Sequence, residues 1–184
     1  MMKSFNAKPW LLPQPVLIIG TYDKEGRPNA MNAAWGGQWD MHEIIISLGS
    51  HQTTDNLKVN SEFTVAFATK NTVEIADYFG VETGSKVNKI EKAGCHVHKS
   101  AHVNAPVIEE FPVTLECECV SYSDETGILV GKIIAQQADE KVLTDGVVDY
   151  DKLQPIIFDI ATKTYRLVGP VVGKAFHDGL KLKS

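Results

Sequence analysis

Two stretches in the first third of the chain carry side chains suited to gripping a ligand. Asn29-Ala30-Met31-Asn32-Ala33-Ala34-Trp35 alternates polar and small residues without a charge. In an extended strand successive side chains take opposite faces, so Asn29, Met31, Ala33 and Trp35 share one face and Ala30, Asn32 and Ala34 the other. Small residues let a flat ring approach the main chain. A ring edged with carbonyl and N–H groups can then pair with backbone groups and with the Asn32 amide, which both donates and accepts. The second stretch, Leu48-Gly49-Ser50-His51-Gln52-Thr53-Thr54-Asp55-Asn56, turns at Gly49-Ser50 and then reads as a helix start, since Thr53, Thr54, Asp55 and Asn56 all have N-cap chemistry. The first N–H groups of a helix lack internal partners and carry partial positive charge, which suits a phosphate; the Thr hydroxyls and His51 would complete a cradle. The same residues serve equally well to cap a short helix, and the Asp55 carboxylate must point away from any phosphate.

Other reactive residue types are less informative. Cys95-His96-Val97-His98-Lys99-Ser100-Ala101-His102 contains first-choice zinc ligands, but its spacing fits no common structural site, so no metal is expected and His96 and His98 belong on the outer face of a strand or loop. In Val113-Thr114-Leu115-Glu116-Cys117-Glu118-Cys119 the alternation places both cysteines on a buried face and both glutamates outside. Their separation of two ~3.3 Å rises is a poor approach for a disulfide. A Gly-x-Gly-x-x-Gly fingerprint is absent, which excludes a standing dinucleotide-binding unit.

The elements that must position these residues are mostly strands. After a proline-rich arm, Lys8 to Pro15, the pattern predicts a strand over Val16 to Tyr22, a hairpin turn over Asp23 to Arg27 with Gly26 at the strained position, and its partner from Asn29 to Trp35. Gly36-Gly37 is expected to end that strand, with a loop through Gln38, Trp39, Asp40 and His42 leading into the strand Ile44 to Leu48. Trp35 and Trp39 either cover a ligand or pack in the core or an interface. A helix over Thr54 to Asn60, a strand over Glu62 to Ala68, a capping-box helix from Asn71 through Tyr78 closed by Gly80, and a short helix from Lys86 to Ala93 closed by Gly94 follow. From Pro112 onward strands dominate: Val113 to Tyr122, Ile128 to Ala135, Ile156 to Ile160 and Thr164 to Val168. This many strands with so few short helices excludes a doubly wound sheet.

With 184 residues the chain suits one domain, 1–184. Eighteen basic against 23 acidic residues, net −5, leave no basic stripe for nucleic acid. No apolar run reaches the ~20 residues of a membrane-spanning helix, and the first residues lack the apolar core of a signal peptide, so the expected location is the cytoplasm.

Taken in order, Pro15-Val16-Leu17-Ile18-Ile19-Gly20-Thr21, Gly26 to Trp35, Ser47 to Thr54, Ser61 to Phe67, Gly84-Ser85-Lys86-Val87-Asn88-Lys89-Ile90 and Asn104 to Glu109 resemble the flavin reductase-like FMN-binding split barrels, the flavoredoxins most closely. The resemblance implies a mainly β fold, an antiparallel split β-barrel with a few short helices. It also implies a homodimer and non-covalent FMN near the subunit interface. Carried over by position, Met31, Asn32, Ala33, Ala34 and Trp35 would line the ring, with Asn29 a further cofactor-binding candidate. Ser50, His51, Thr53 and Thr54 would surround the phosphate, with Gly49 permitting close backbone approach and Leu48 beside it a further cofactor-binding candidate. Where many relatives have Arg or Lys before the Thr pair this chain has His51, which weakens charge compensation at neutral pH. Lys89 would stabilise the reduced ring or the phosphate, or else is a solvated helix lysine. The tail from Val171 to Gly179 is expected near the ligand or the partner subunit. The expected activity is electron transfer from NADH or NADPH to flavin or a small acceptor, with a non-enzymatic electron carrier serving a redox protein as the second reading.

Overall fold

The computed structural model describes residues 1–183. Strands β1 (Gln14–Pro15), β2 (Leu17–Tyr22), β3 (Pro28–Ala33), β4 (Gly36–Asp40) and β5 (Glu43–Ser47) precede α1 (Gln52–Val59). Then come β6 (Glu62–Phe67), α2 (Val73–Val81), α3 (Lys89–Lys92), β7 (Val97–Lys99), β8 (Pro106–Ile108), β9 (Val113–Ser123) and β10 (Ile128–Ala138). The small pair β11 (Leu143–Thr144) and β12 (Val147–Val148), α4 (Tyr150–Leu153) and the hairpin β13 (Ile156–Asp159), β14 (Thr164–Leu167) complete the fold.

Seven strands form one antiparallel sheet in the order β3-β2-β6-β9-β10-β5-β4. One apolar cluster draws on nearly all of it: Leu17 and Ile19 of β2, Met31 and Ala33 of β3, Ile44 and Ile46 of β5, Phe63 and Val65 of β6, Leu115 and Cys117 of β9, and Leu129 of β10. Strands so far apart in the order share one core only if the sheet curls. Its ends β3 and β4 do not pair with each other, so the barrel stays split. Residues of the opposite face, Ile18, Ala30 and Ala66, pack against Ala76 and Phe79 of α2, Ile90 of α3 and Phe111. Burial on both faces explains why Leu17-Ile18-Ile19 reads as continuously apolar rather than alternating.

The Asp23–Arg27 turn forms as expected, with Gly26 at φ 77°. Several boundaries differ from the sequence reading. Gly36-Gly37 does not end a strand but opens β4, which pairs with β5 and bulges between Gln38 and Asp40. Its residues are largely exposed along an edge, so no alternation announces it. Helix α2 follows a 3-10 turn whose cap is Thr69, with the Thr72 hydroxyl accepting the Thr69 N–H at 2.8 Å, and it runs past Gly80 to Val81. Helix α3 spans only Lys89–Lys92, capped by Asn88, whose side chain accepts from Glu91 N–H; residues 86–88 belong to the preceding loop.

Glu116 is also a correction, because it is 2% exposed rather than outside. The 100–108 segment covers the outer face of β9 there. Its carboxylate accepts hydrogen bonds from Ser100 Oγ, from His102 N–H at 3.2 Å and Nδ1 at 3.0 Å, and from Gln137 Nε2 at 3.4 Å. Burial opposes its ionisation, but the Ser100 and His102 hydrogen bonds hold its carboxyl below the usual carboxylate range. His96 and His98 are exposed and pair with Glu110 and Glu109. No metal-binding cluster occurs among the described residues, and no described helix is long and apolar enough to cross a membrane.

Candidate functional site

The hairpin of β2 and β3 sets Thr21 opposite Asn29. Helix α1 is fastened across this pair by two buried side-chain hydrogen bonds: Asn29 Nδ2 donates to Thr53 Oγ1 at 2.8 Å, and Asn56 Nδ2 donates to Thr21 Oγ1 at 3.0 Å. Two amides and two hydroxyls thus fix the start of α1 against the uncharged strand. The cap itself is His51. Its N–H donates to Thr54 Oγ1 at 3.0 Å, and the Thr54 hydroxyl donates back to the His51 carbonyl at 2.8 Å.

This junction opens into a cleft of about 410 Å³. One wall is Asn29, Met31 and Asn32 of β3 with His51 and Thr53 at the head of α1; the other is the end of α2 and the loop from Val81 to Lys86, with Lys89 behind. A smaller hollow of about 240 Å³ continues it past Gly84 to Arg27, Ser85, Lys86 and Asn88. Gly84 sits so close to β3 that a Cβ there would collide with Asn29 Oδ1. The missing side chain lets the loop approach the strand and leaves the Asn29–Thr53 hydrogen bond intact.

Lys89 is the buried charge of the site, at 5% exposure. Its ammonium donates to the Phe79 carbonyl near the end of α2 at 2.9 Å and lies 6.0 Å from the Phe79 ring centre. Burial brings its pKa down to about 8, with Glu82 opposing the shift. One carbonyl contact leaves the ammonium two further donors. A buried ionisable group perturbed by desolvation and lining a cleft is a candidate functional residue.

Six of the expected residues therefore meet around one cleft: Asn29, Met31, Asn32, His51, Thr53 and Lys89. Ala34 instead lines a neighbouring hollow of about 540 Å³, which shares Asn32, Gly80 and Val81 with the first and adds Phe158 and Tyr165. Ala33 and Leu48 are buried in the inner core, Thr54 is spent on the His51 cap, and Trp35 is 56% exposed. Gly49 and Ser50 form the exposed turn before α1. Sequence reasoning about chemistry passed over Gln52, the 80–84 segment and Ser85-Lys86. The signal for the loop was a polar, basic Gly84-Ser85-Lys86 shortly after a helix. Among the described residues the tail, 171–183, is exposed and lines neither hollow.

Comparison with known proteins agrees with this architecture. The chain is similar to the flavoredoxin of Desulfovibrio vulgaris (Miyazaki F), with 33% identity, a TM-score of 0.93, and coverage of 97% of this chain and 100% of that one. It is also similar to the flavoredoxin from Methanosarcina acetivorans, with 28% identity, a TM-score of 0.90, and 99% of each chain covered. An uncharacterized protein of Archaeoglobus fulgidus is 30% identical over 136 residues, 70% of this chain and 75% of that protein. Residues 11–155, which include both walls of the cleft, match the flavin reductase like domain, and the chain belongs to that family.

Proposed function

We propose that this protein binds FMN non-covalently in the cleft between β3, the head of α1 and the 81–89 segment, and that it acts as an NAD(P)H-dependent oxidoreductase passing electrons to flavin or a small acceptor. The observation that carries this reading is the single cleft joining an uncharged strand to a helix start and a buried lysine. The donor set suits the ligand: Lys86, Lys89, the Thr53 hydroxyl and the free N–H groups of α1 match a phosphate or the anionic edge of a ring, and Asn32 matches a ring edge with donors and acceptors. The close approach at Gly84 supplies a cradle that a side chain would fill.

Bound FMN would supply the two-electron chemistry, and the chain's own residues hold, orient and electrostatically tune it. Lys89 adds positive charge where burial makes it count. Met31 and Asn32 offer a flat wall, and the glycines at 80 and 84 keep the facing segment low. A nicotinamide donor would stack transiently, since no dinucleotide-binding fingerprint is present. A homodimer fits the exposed Trp35 (56%), Trp39 (61%) and Met41 (81%) on and around β4, an apolar surface of the kind that marks contact sites. A second reading, an FMN-bearing electron carrier for a redox protein, is favoured by the likeness to two flavoredoxins over nearly the whole chain.

The test is a visible absorption spectrum of the purified protein with added FMN, followed by anaerobic mixing with NADH and with NADPH. A protein-bound flavin spectrum that bleaches rapidly with either nucleotide supports the oxidoreductase. Bleaching only with a reduced redox protein supports the carrier, and a protein that takes up no flavin overturns both.

A further inference from the structure

The hollow of about 540 Å³ meets the flavin cleft at Asn32, Gly80 and Val81, so its contents would adjoin whatever fills that cleft. Ala34, Val81, Phe158, Ile160 and Tyr165 give it an apolar wall. The Phe158 and Tyr165 rings pack 5.9 Å apart, an aromatic surface on which a ring compound can rest. Two charged residues also line it, Asp77 and Lys163. Asp77 is engaged, accepting the Tyr165 hydroxyl hydrogen at 2.8 Å. Burial and then Asp77 push that phenol up to about 12, so it stays neutral near pH 7. Lys163 is exposed, and among the described residues its ammonium has no hydrogen-bond or ion-pair partner. It sits at φ 54° in the turn joining β13 and β14, a conformation that costs an ordinary residue free energy and that glycine takes freely. The side chain does nothing for the turn itself, which Asp159 holds by accepting the Ala161 N–H at 3.0 Å and the Thr162 N–H at 3.3 Å. An unpaired cation kept at a strained position beside an apolar hollow points to a ligand.

Resting on the FMN reading above, we infer that this hollow binds the small acceptor, and that the acceptor is a flat apolar compound bearing one acidic group. Its apolar body takes the wall of Phe158, Tyr165 and Val81 beside the flavin. Lys163 is the one cation of the lining and pairs with the acidic group. A second negative charge on the ligand would meet Asp77 without a further cation to offset it. Phe158, Ile160, Lys163 and Tyr165 all lie beyond residues 11–155 of the family match, so the preference for this class of acceptor resides in the C-terminal hairpin of this chain.

Calorimetric titration of 2-naphthoate, and of its neutral counterpart 2-naphthamide, into the protein with and without saturating FMN tests the inference. Naphthoate should bind in both states, about fourfold more tightly than the amide, the worth of one exposed ion pair. Lys163→Gly should abolish that preference by weakening naphthoate alone, with the amide changed by less than about twofold. The same variant relieves the strained turn and should melt no lower than wild type, so a lost preference is not lost folding. No binding of either compound, equal affinity for the two, or a preference that survives Lys163→Gly overturns the inference. Displacement of naphthoate by FMN also overturns it, because the hollow would then belong to the flavin. A protein that takes up no flavin yet keeps the Lys163-dependent preference would sink the FMN reading and uphold the ligand class assigned to this hollow.

Discussion

Replacing Lys89 by methionine should stabilise the ligand-free protein near neutral pH while damaging its function. The folded-state pKa lies at about 8, below the ordinary 10.5, because burial penalises the charged form. At ~1.4 kcal/mol per pH unit this corresponds to about 3 kcal/mol of destabilisation. The sign follows from proton counting: between pH 8 and 10.5 the unfolded chain binds more protons than the folded one, so wild-type stability rises with pH across that window. Below pH 8 the lysine is charged in both states and the cost is fully present; above 10.5 it is neutral in both and the cost is gone. Methionine of similar length escapes that cost but leaves the Phe79 carbonyl without its Lys89 donor, a loss of about 1–2 kcal/mol. Urea unfolding should therefore show the variant more stable than wild type by about 1–2 kcal/mol at pH 7 and less stable by a similar amount near pH 10.5. FMN affinity at pH 7 should fall at least tenfold. A variant less stable than wild type at pH 7 would refute the reasoning, because the buried charge would then be a net structural asset rather than a cost kept for a ligand.

Gly84→Ala places a Cβ against Asn29 Oδ1 and should weaken the Asn29–Thr53 link by about 1 kcal/mol; FMN titration should show a loss of roughly fivefold, and unchanged affinity would remove the 81–86 loop from the site. Thr53 and Thr54 should separate: Thr54→Ala loses the closure of the first helical turn and about 1 kcal/mol of stability with near-normal FMN affinity, whereas Thr53→Ala should weaken FMN binding, and the opposite order would reverse the two roles. Glu116, held below its ordinary value of 4.5 mainly against burial by Ser100 and His102, contributes stability that is present above that value and lost as pH falls through the folded pKa. Glu116→Gln should flatten the acid limb of the unfolding profile below the ordinary value of 4.5, and an unchanged limb would show that the cluster plays no part in acid sensitivity.

The sequence was most legible where local rules governed the chain. The β2–β3 hairpin with Gly26 in its turn and the uncharged strand from Asn29 follow from alternation and turn chemistry alone; cap residues at Thr53 to Asn56 announce a helix, but α1 begins earlier, at Gln52 behind a His51 cap. The family and the split barrel came from many short ordered matches. What stayed hidden depended on tertiary contacts. Glu116 reads as an exposed position of an alternating strand until the 100–108 segment is laid over it. Edge strand β4 has no alternation because its residues lie largely exposed along the edge of the sheet. Lys89 offered only a residue type until burial and the Phe79 carbonyl gave it a pKa. The 80–86 wall escaped chemical reading because its contribution is the absence of side chains at two glycines.

The central claim is that the head of α1, the uncharged strand β3 and the 81–89 loop hold one phosphorylated flavin between them. A crystal structure of the protein grown with excess FMN tests it most directly. The account predicts flavin density in that cleft, with Lys89 or Lys86 and the first α1 N–H groups on its anionic parts and Asn32 on its ring edge. Flavin bound at a different surface, with Asn29, Thr53 and Lys89 untouched, would contradict it.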